Sequence, residues 1–407
     1  MTIQLLSYIG TGIPSVKVFF AVSILALILY FPNKSRLSND KYPVWLKAAS
    51  IVFLFSFATT LVFSDFMHWY TVVVNSIAFF AFPFVLWKCL DSKKQVDYAT
   101  KWLIIIMSIA TLIGTFEAFF RFNPVYKPLQ NIFISEDFTI DSDSIRFGLK
   151  RCNSIFAYFS TYGMASFVTF IVLYVKIFML KEKGRWLPYL MFLSAFGSFA
   201  TGSRAIFLGL FLALFLLLIQ KKFLKTKIGV IMVFVSFIML PVLLETGYQV
   251  LDSMINSDTS KYAAGSTSEL REAQWEICLP YFLESPIVGN GRMFIWDTVK
   301  EENYGLLGAE SIWFSILIDY GLLGGFAFLL LIFACCKHLC AYNFRLVCLP
   351  IGYLLILSLS PDTGIMYNIL ISFTILILRM FQFSKTNDNY SFPTNNKKDN
   401  NLKSGSL

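Results

Sequence analysis

The sequence predicts an all-α fold, a polytopic transmembrane helical bundle of about 11 spans with a long extracytoplasmic loop before the ninth span. Three observations predict it. The chain is 57% hydrophobic and only 14% charged, whereas a soluble domain is about a quarter charged and under half apolar. The apolar residues, 44 phenylalanines among them, fall in long runs. Lys and Arg collect in alternate gaps between those runs, as loops on one side of a membrane require. The runs show no polar–apolar alternation, which excludes a barrel, so helices must satisfy the backbone in lipid.

Reading along the chain, spans are expected at 16–31, 44–63, 69–88 and 102–120, then at 154–176, 186–201, 204–219 and 227–245, and finally at 309–334, 346–360 and 364–380. No A-x-A-like site follows the first run, so it reads as an uncleaved span rather than a signal peptide. Residues 1–383 therefore form the membrane domain, with 246–308 as its large extracytoplasmic loop, and 384–407 form a polar, disordered cytoplasmic tail.

Charge sets the orientation. Lys34, Arg36, Lys41 and Lys47 follow the first span, and Lys88, Lys93, Lys94 and Lys101 follow the third. Further basic groups follow the fifth and seventh spans, and Lys337 and Arg345 follow the ninth. These loops are cytoplasmic, which places the C-terminus inside. The net charge of +9 is thereby explained without nucleic acid. The seven cysteines show no framework spacing, and no metal-type Cys/His cluster occurs; the histidines are His68 and His338 alone.

Three arginines lie on the outer side, against the charge bias. Arg151 stands before the fifth span in Arg151-Cys152-Asn153-Ser154-Ile155-Phe156, with Asn153 or Ser154 as N-cap. Arg204 stands at the outer turn Thr201-Gly202-Ser203-Arg204. Each is expected at a helix N-terminus facing outward, where free N–H groups and the dipole favour anions. A guanidinium there makes a phosphate site; the bland alternative is a snorkelling anchor. Arg271 lies in a helical stretch, 269–284, on the register of Trp275, Cys278, Leu279 and Phe282, away from the glutamates. It suits either an external anion or packing against Trp275. Pro286 ends that helix, Gly289-Asn290-Gly291 reads as a turn, and Arg292 follows.

Glu310 and Ser311 open the ninth span. Glu310 is either a carboxylate favoured by the helix dipole or a general base or sugar ligand. Asp319, beside Tyr320, Gly321 and Gly324, and Glu117 in the fourth span are acids at membrane depth, functional or paired. There is no P-loop, HExxH or GxSxG motif and no soluble segment large enough for a nucleotide sugar.

In this order the residues resemble the O-antigen polymerase and ligase superfamily (Wzy/WaaL-like). The matching pieces are Arg151 to Phe156, Thr201-Gly202-Ser203-Arg204, Arg271-x-x-x-Trp275, Pro286-x-x-Gly289-x-Gly291, Glu310-Ser311 and Asp319-Tyr320-Gly321-x-x-Gly324. They span about 145–325. The ligases carry His where Ala309-Glu310-Ser311 stands here, which favours the polymerase branch. The resemblance implies an inverting, metal-independent glycosyl transfer without cofactor in a bacterial inner membrane. The donor would be a glycan on undecaprenyl pyrophosphate, and the acceptor a lipid-linked repeat unit. Arg204, Arg271 and Glu310 would be catalytic, the two arginines holding pyrophosphate. Arg151, Ser203, Trp275, Arg292 and Ser311 would contact substrate. A chain-length regulator and a flippase are candidate partners. The rivals are an O-antigen ligase and, from another class, a lipid-linked oligosaccharide flippase; a flippase should show repeated halves, and none is evident.

Overall fold

The computed structural model describes residues 41–60, 69, 73, 82–125, 145–146, 149–156, 159–218, 268–299, 302–303, 311–359 and 366–385. Its helices are α1 (Val44–Thr60), α2 (Lys93–Phe120), α3 (Phe159–Tyr174), α4 (Leu187–Ala200), α5 (Arg204–Leu218), α6 (Ser268–Glu284), α7 (Ile312–Cys340), α8 (Cys348–Ser358) and α9 (Met366–Lys385). Residues 82–89 are also helical. A π turn, Val175–Met179, prolongs α3, and another, Ile295–Val299, follows α6. The described residues are otherwise helix, turn or coil, apart from a two-residue ladder pairing Ile145–Arg146 (β1) with Leu149–Lys150 (β2). The expected spans at 16–31 and 227–245, the first part of the large loop and the tail beyond 385 lie outside the described residues.

Three of the described helices are long and apolar enough to cross a membrane: Lys93–Phe120, Phe159–Met179 and Ile312–Cys340. Burial separates their places. The apolar window of α3 is 83% buried and that of α2 only 39%, so α3 runs through the centre and α2 along the outside. α3 packs on α2, α4, α5, α8 and α9, and α7 packs on α1, α8 and α9. Phe167, Phe170, Ile171 and Tyr174 of α3 share one core with Phe328 and Leu331 of α7 and Tyr353 of α8.

The boundaries differ from the hydropathy reading in two instructive places. α2 begins at Lys93 rather than 102 because Ser92 caps it, accepting from the Gln95 N–H, while Gln95 Oε1 accepts from the Asp91 N–H at 2.9 Å. That polar first turn carries no hydropathy signal. α3 begins at Phe159 rather than 154, because Ser154 is left-handed with φ 56°, and the expected cap at Asn153 or Ser154 is instead part of a turn.

The largest departure from regularity lies inside α7. Gly321 has φ 63° and ψ −164°, which breaks the helix. The segment 286–291 enters the break and exchanges backbone hydrogen bonds with it. Leu322 and Leu323 N–H donate to the Pro286 and Ile287 carbonyls at 2.8 and 3.0 Å. Asn290 and Gly291 N–H donate to the Ile318 and Asp319 carbonyls at 2.9 and 3.1 Å. A Cβ on Gly289 would overlap the Asp319 carbonyl, and one on Gly321 would overlap that of Ile287. Both glycines also have positive φ, 77° and 63°, so two independent costs meet at each position.

Gly321→Ala and Gly289→Ala are therefore expected to destabilise the protein by about 2 kcal/mol or more each, from the left-handed backbone plus overpacking. Thermal unfolding of the detergent-solubilised protein measures this; a midpoint unchanged in both variants contradicts the docked loop.

Candidate functional site

The Arg151 segment is built from the outer end of α2. Glu117, one turn before the helix ends, is buried, and its Oε2 accepts from the backbone N–H groups of Asn153 and Ser154 at 3.1 and 2.9 Å and from Asn123 Nδ2 at 2.8 Å. Asn123 Nδ2 also donates to the Ser154 carbonyl at 2.8 Å, and Ser154 Oγ donates to the Ala110 carbonyl at 2.5 Å. Lys150 Nζ lies 3.8 Å from Glu117 Oε1 and is itself nearly buried. The carboxylate is thus paired and hydrogen-bonded, as a buried charge must be. It fixes the left-handed turn that carries Arg151. Cys152, between these groups, is fully buried, and burial pushes its thiol well up.

From that turn Arg151 reaches α4. Its Nε donates to the Thr201 carbonyl at 3.4 Å, at the C-cap of α4, and its guanidinium carbon lies 3.5 Å from the ring centroid of Phe159, the first residue of α3. Thr201 Oγ1 accepts from the Ser203 N–H at 3.4 Å, Gly202 turns the chain with φ 63°, and Arg204 opens α5. Arg151 thus lies between the first residue of α3, where it was expected, and the C-terminus of α4, where a cation meets unsatisfied carbonyls. Its partner Thr201 stands two residues before the buried Ser203 and three before Arg204, at the turn from α4 into α5.

The second group forms on α6 and α7. Of the expected stripe, Cys278 is buried, with Gln274 beside it on the same face, while Trp275 and Leu279 are exposed. Among the described residues, this face packs with Phe314 and Ile318 of α7 and with Phe294, Ile295 and Val299 at the π turn. Trp275 leans on Phe314, ring centroids 4.6 Å apart. Burial pushes the Cys278 thiol up to about 12. Position 271 lies on the register of Gln274 and Cys278; the side chain of Arg271 and all of Glu310 fall outside the described residues. Ser311 caps α7, its Oγ accepting from the Trp313 N–H at 3.3 Å, and Trp313 Nε1 donates to Ser358 Oγ at 2.9 Å.

Arg292 follows the docked loop, and its Nη1 donates to Tyr320 Oη at 2.5 Å. Tyr320 is packed against Phe57 of α1, centroids 5.0 Å apart. Asp319, buried, accepts from the Met293 N–H (2.9 Å) and the Ile295 N–H (3.1 Å). The roles of Glu117, Asn123 and Lys150 carry no motif in the sequence; an acid at membrane depth was the one signal for Glu117.

Glu117→Ala would leave two backbone N–H groups buried without their acceptor and the Lys150 ammonium without its counter-charge, held by the Arg121 carbonyl at 3.4 Å. It is expected to destabilise by about 3–5 kcal/mol, read as a fall in folded protein recovered in detergent, with Glu117→Gln falling less; wild-type recovery of the alanine variant contradicts the network.

No curated protein matches the chain. Residues 189–329 match the family model described as O-antigen ligase, a segment that takes in α4, α5, α6 and most of α7. Over that segment the chain is similar to the O-antigen ligase family, in agreement with the polymerase and ligase superfamily that its ordered motifs resemble.

Proposed function

We propose that the protein is a polysaccharide repeat-unit polymerase acting at the outer face of a bacterial cytoplasmic membrane. The observation that carries it is the bond from Arg151 to Thr201, at the turn that leads through Ser203 to Arg204 at the start of α5. A guanidinium at a helix N-terminus, with a second on the turn before it, suits a pyrophosphate, with charge-assisted and bidentate bonds. The donor is a growing glycan on undecaprenyl pyrophosphate, and the acceptor is a hydroxyl of a lipid-linked repeat unit. The acceptor oxygen bonds to the anomeric carbon with inversion as the bond to the pyrophosphate oxygen breaks. Arg204 and Arg271 stabilise the charge that develops on the leaving group. Glu310 takes the hydroxyl proton, while Trp275, Arg292 and Ser311 contact substrate.

The choice of polymerase over ligase rests on histidine. The chain has His68 and His338 alone. His338 sits in the last turn of α7, 27 residues from its cap Ser311 and so about 40 Å away along a helix. It cannot act as a base beside Ser311, where the ligases of the resembled superfamily place theirs. The large loop 246–308 would frame the site, and the C-terminus would lie in the cytoplasm.

Arg204→Ala and Arg271→Ala are each expected to abolish polymer with protein level unchanged. In a host lacking this gene, a surface-glycan ladder that collapses to a single repeat unit on its final acceptor supports the polymerase. Long polymer accumulating on undecaprenyl pyrophosphate points to a ligase. Single units held on the cytoplasmic leaflet point to a flippase and overturn the catalytic reading.

A further inference from the structure

We propose that Asp319 is a positioning residue for Arg292, acting through the backbone of the turn that follows the docked loop. The inference rests on the reading of Arg292 as a substrate contact and assigns that contact to the pyrophosphate.

Two holds converge on Arg292. Its backbone neighbours on the C-terminal side are tied to Asp319, whose Oδ2 accepts from the Met293 N–H and whose Oδ1 accepts from the Ile295 N–H. Met293 has φ 68°, a left-handed conformation that a methionine adopts only when held. Its guanidinium is tied to Tyr320 Oη, and Tyr320 is itself immobilised on Phe57. Asp319 and Tyr320 are consecutive residues at the end of the first half of α7, just before the break at Gly321. The two holds therefore share one rigid base. A carboxylate is required at 319 because both oxygens accept; an amide would present a donor to one of the two N–H groups.

The chemistry follows from that rigidity. An arginine in a loop loses rotamer freedom when it closes on an anion. Here that ordering is made within the protein before the ligand arrives, by Tyr320 at the guanidinium and Asp319 at the neighbouring backbone. Asp319 touches no substrate.

The test is a double-mutant cycle on the full-length protein in phosphatidylcholine nanodiscs, with undecaprenyl pyrophosphate as the probe and its Kd as the readout. Arg292→Ala is expected to weaken binding on the order of tenfold or more. Asp319→Asn should weaken it comparably, and the double variant should bind no worse than Arg292→Ala alone. An Asp319 that only supports the fold would lower the folded fraction and leave the Kd of the folded protein unchanged. That result, or effects that multiply in the double variant, overturns the proposal. If Asp319→Asn does not fold, Tyr320→Phe takes its place in the cycle, and wild-type binding there overturns the proposal equally. The underlying function fails in a different way: the unsubstituted protein then binds no undecaprenyl pyrophosphate. An Arg292→Ala variant with wild-type Kd removes Arg292 from the site and the proposal with it.

Discussion

The structure depends most on the exchange of backbone hydrogen bonds between segment 286–291 and the break in α7 at Gly321. A helix broken within an apolar span exposes donors and acceptors that lipid cannot satisfy, at several kcal/mol each by the transfer estimates. Non-helical backbone at that depth survives only where protein covers it. Here the covering is reciprocal: two carbonyls left by the first half of α7 receive the Asn290 and Gly291 N–H groups, and two N–H groups opening the second half meet the Pro286 and Ile287 carbonyls. The loop cannot leave without stranding all four. What hydropathy reads as a long extracytoplasmic segment is thus anchored, in its last part, to the interior of a span.

A second corner solves a similar problem with a side chain. Glu117 in α2 accepts the N–H groups of Asn153 and Ser154, as Asp319 in α7 accepts those of Met293 and Ile295. In both places an acid buried in an apolar helix is bonded to the backbone of a turn with a left-handed residue, Ser154 or Met293. In both places that turn carries an arginine, Arg151 or Arg292. A carboxylate that accepts two backbone donors fixes a turn more firmly than a surface contact, because removing it leaves those donors buried. The division of labour is consistent: acids on the spans hold the turns, and the turns carry the arginines.

Much of the helical architecture was legible in hydropathy, because span length and the segregation of Lys and Arg are properties of single segments. α4 and α5 lie within a residue of their expected bounds. What the sequence withheld was long-range. Nothing local says that Glu117 serves Asn153 and Ser154, or that Arg151 reaches Thr201 fifty residues on. The register of α6 failed for a related reason: its inner face is set by the few residues of α7 and the π turn that it covers, so Gln274 is buried and Trp275 is not. The glycines were the best clue. Gly289 and Gly291 were visible as a turn and Gly321 as part of the motif after Asp319, and all three have positive φ; that the turn and the helix break fill one another requires both to be seen together.

This arrangement bears on how such a site gains affinity. Under the proposed function, a pyrophosphate with a long lipid tail diffuses in the membrane and presents its charge at the interface, which would leave the protein little surface with which to bind it. Ordering a loop at the moment of binding would then consume much of the available interaction energy. A site whose turns are already bonded to its spans avoids that loss, and its donors act on developing charge without reorganising. The strain at Ser154 and Met293 and the two buried acids are costs borne in folding. They are offset across the bundle by apolar packing such as that of α3 against α7 and α8. The packing that sustains the bundle thus lies apart from the turns that carry Arg151 and Arg292, and the two buried acids tie those turns to it.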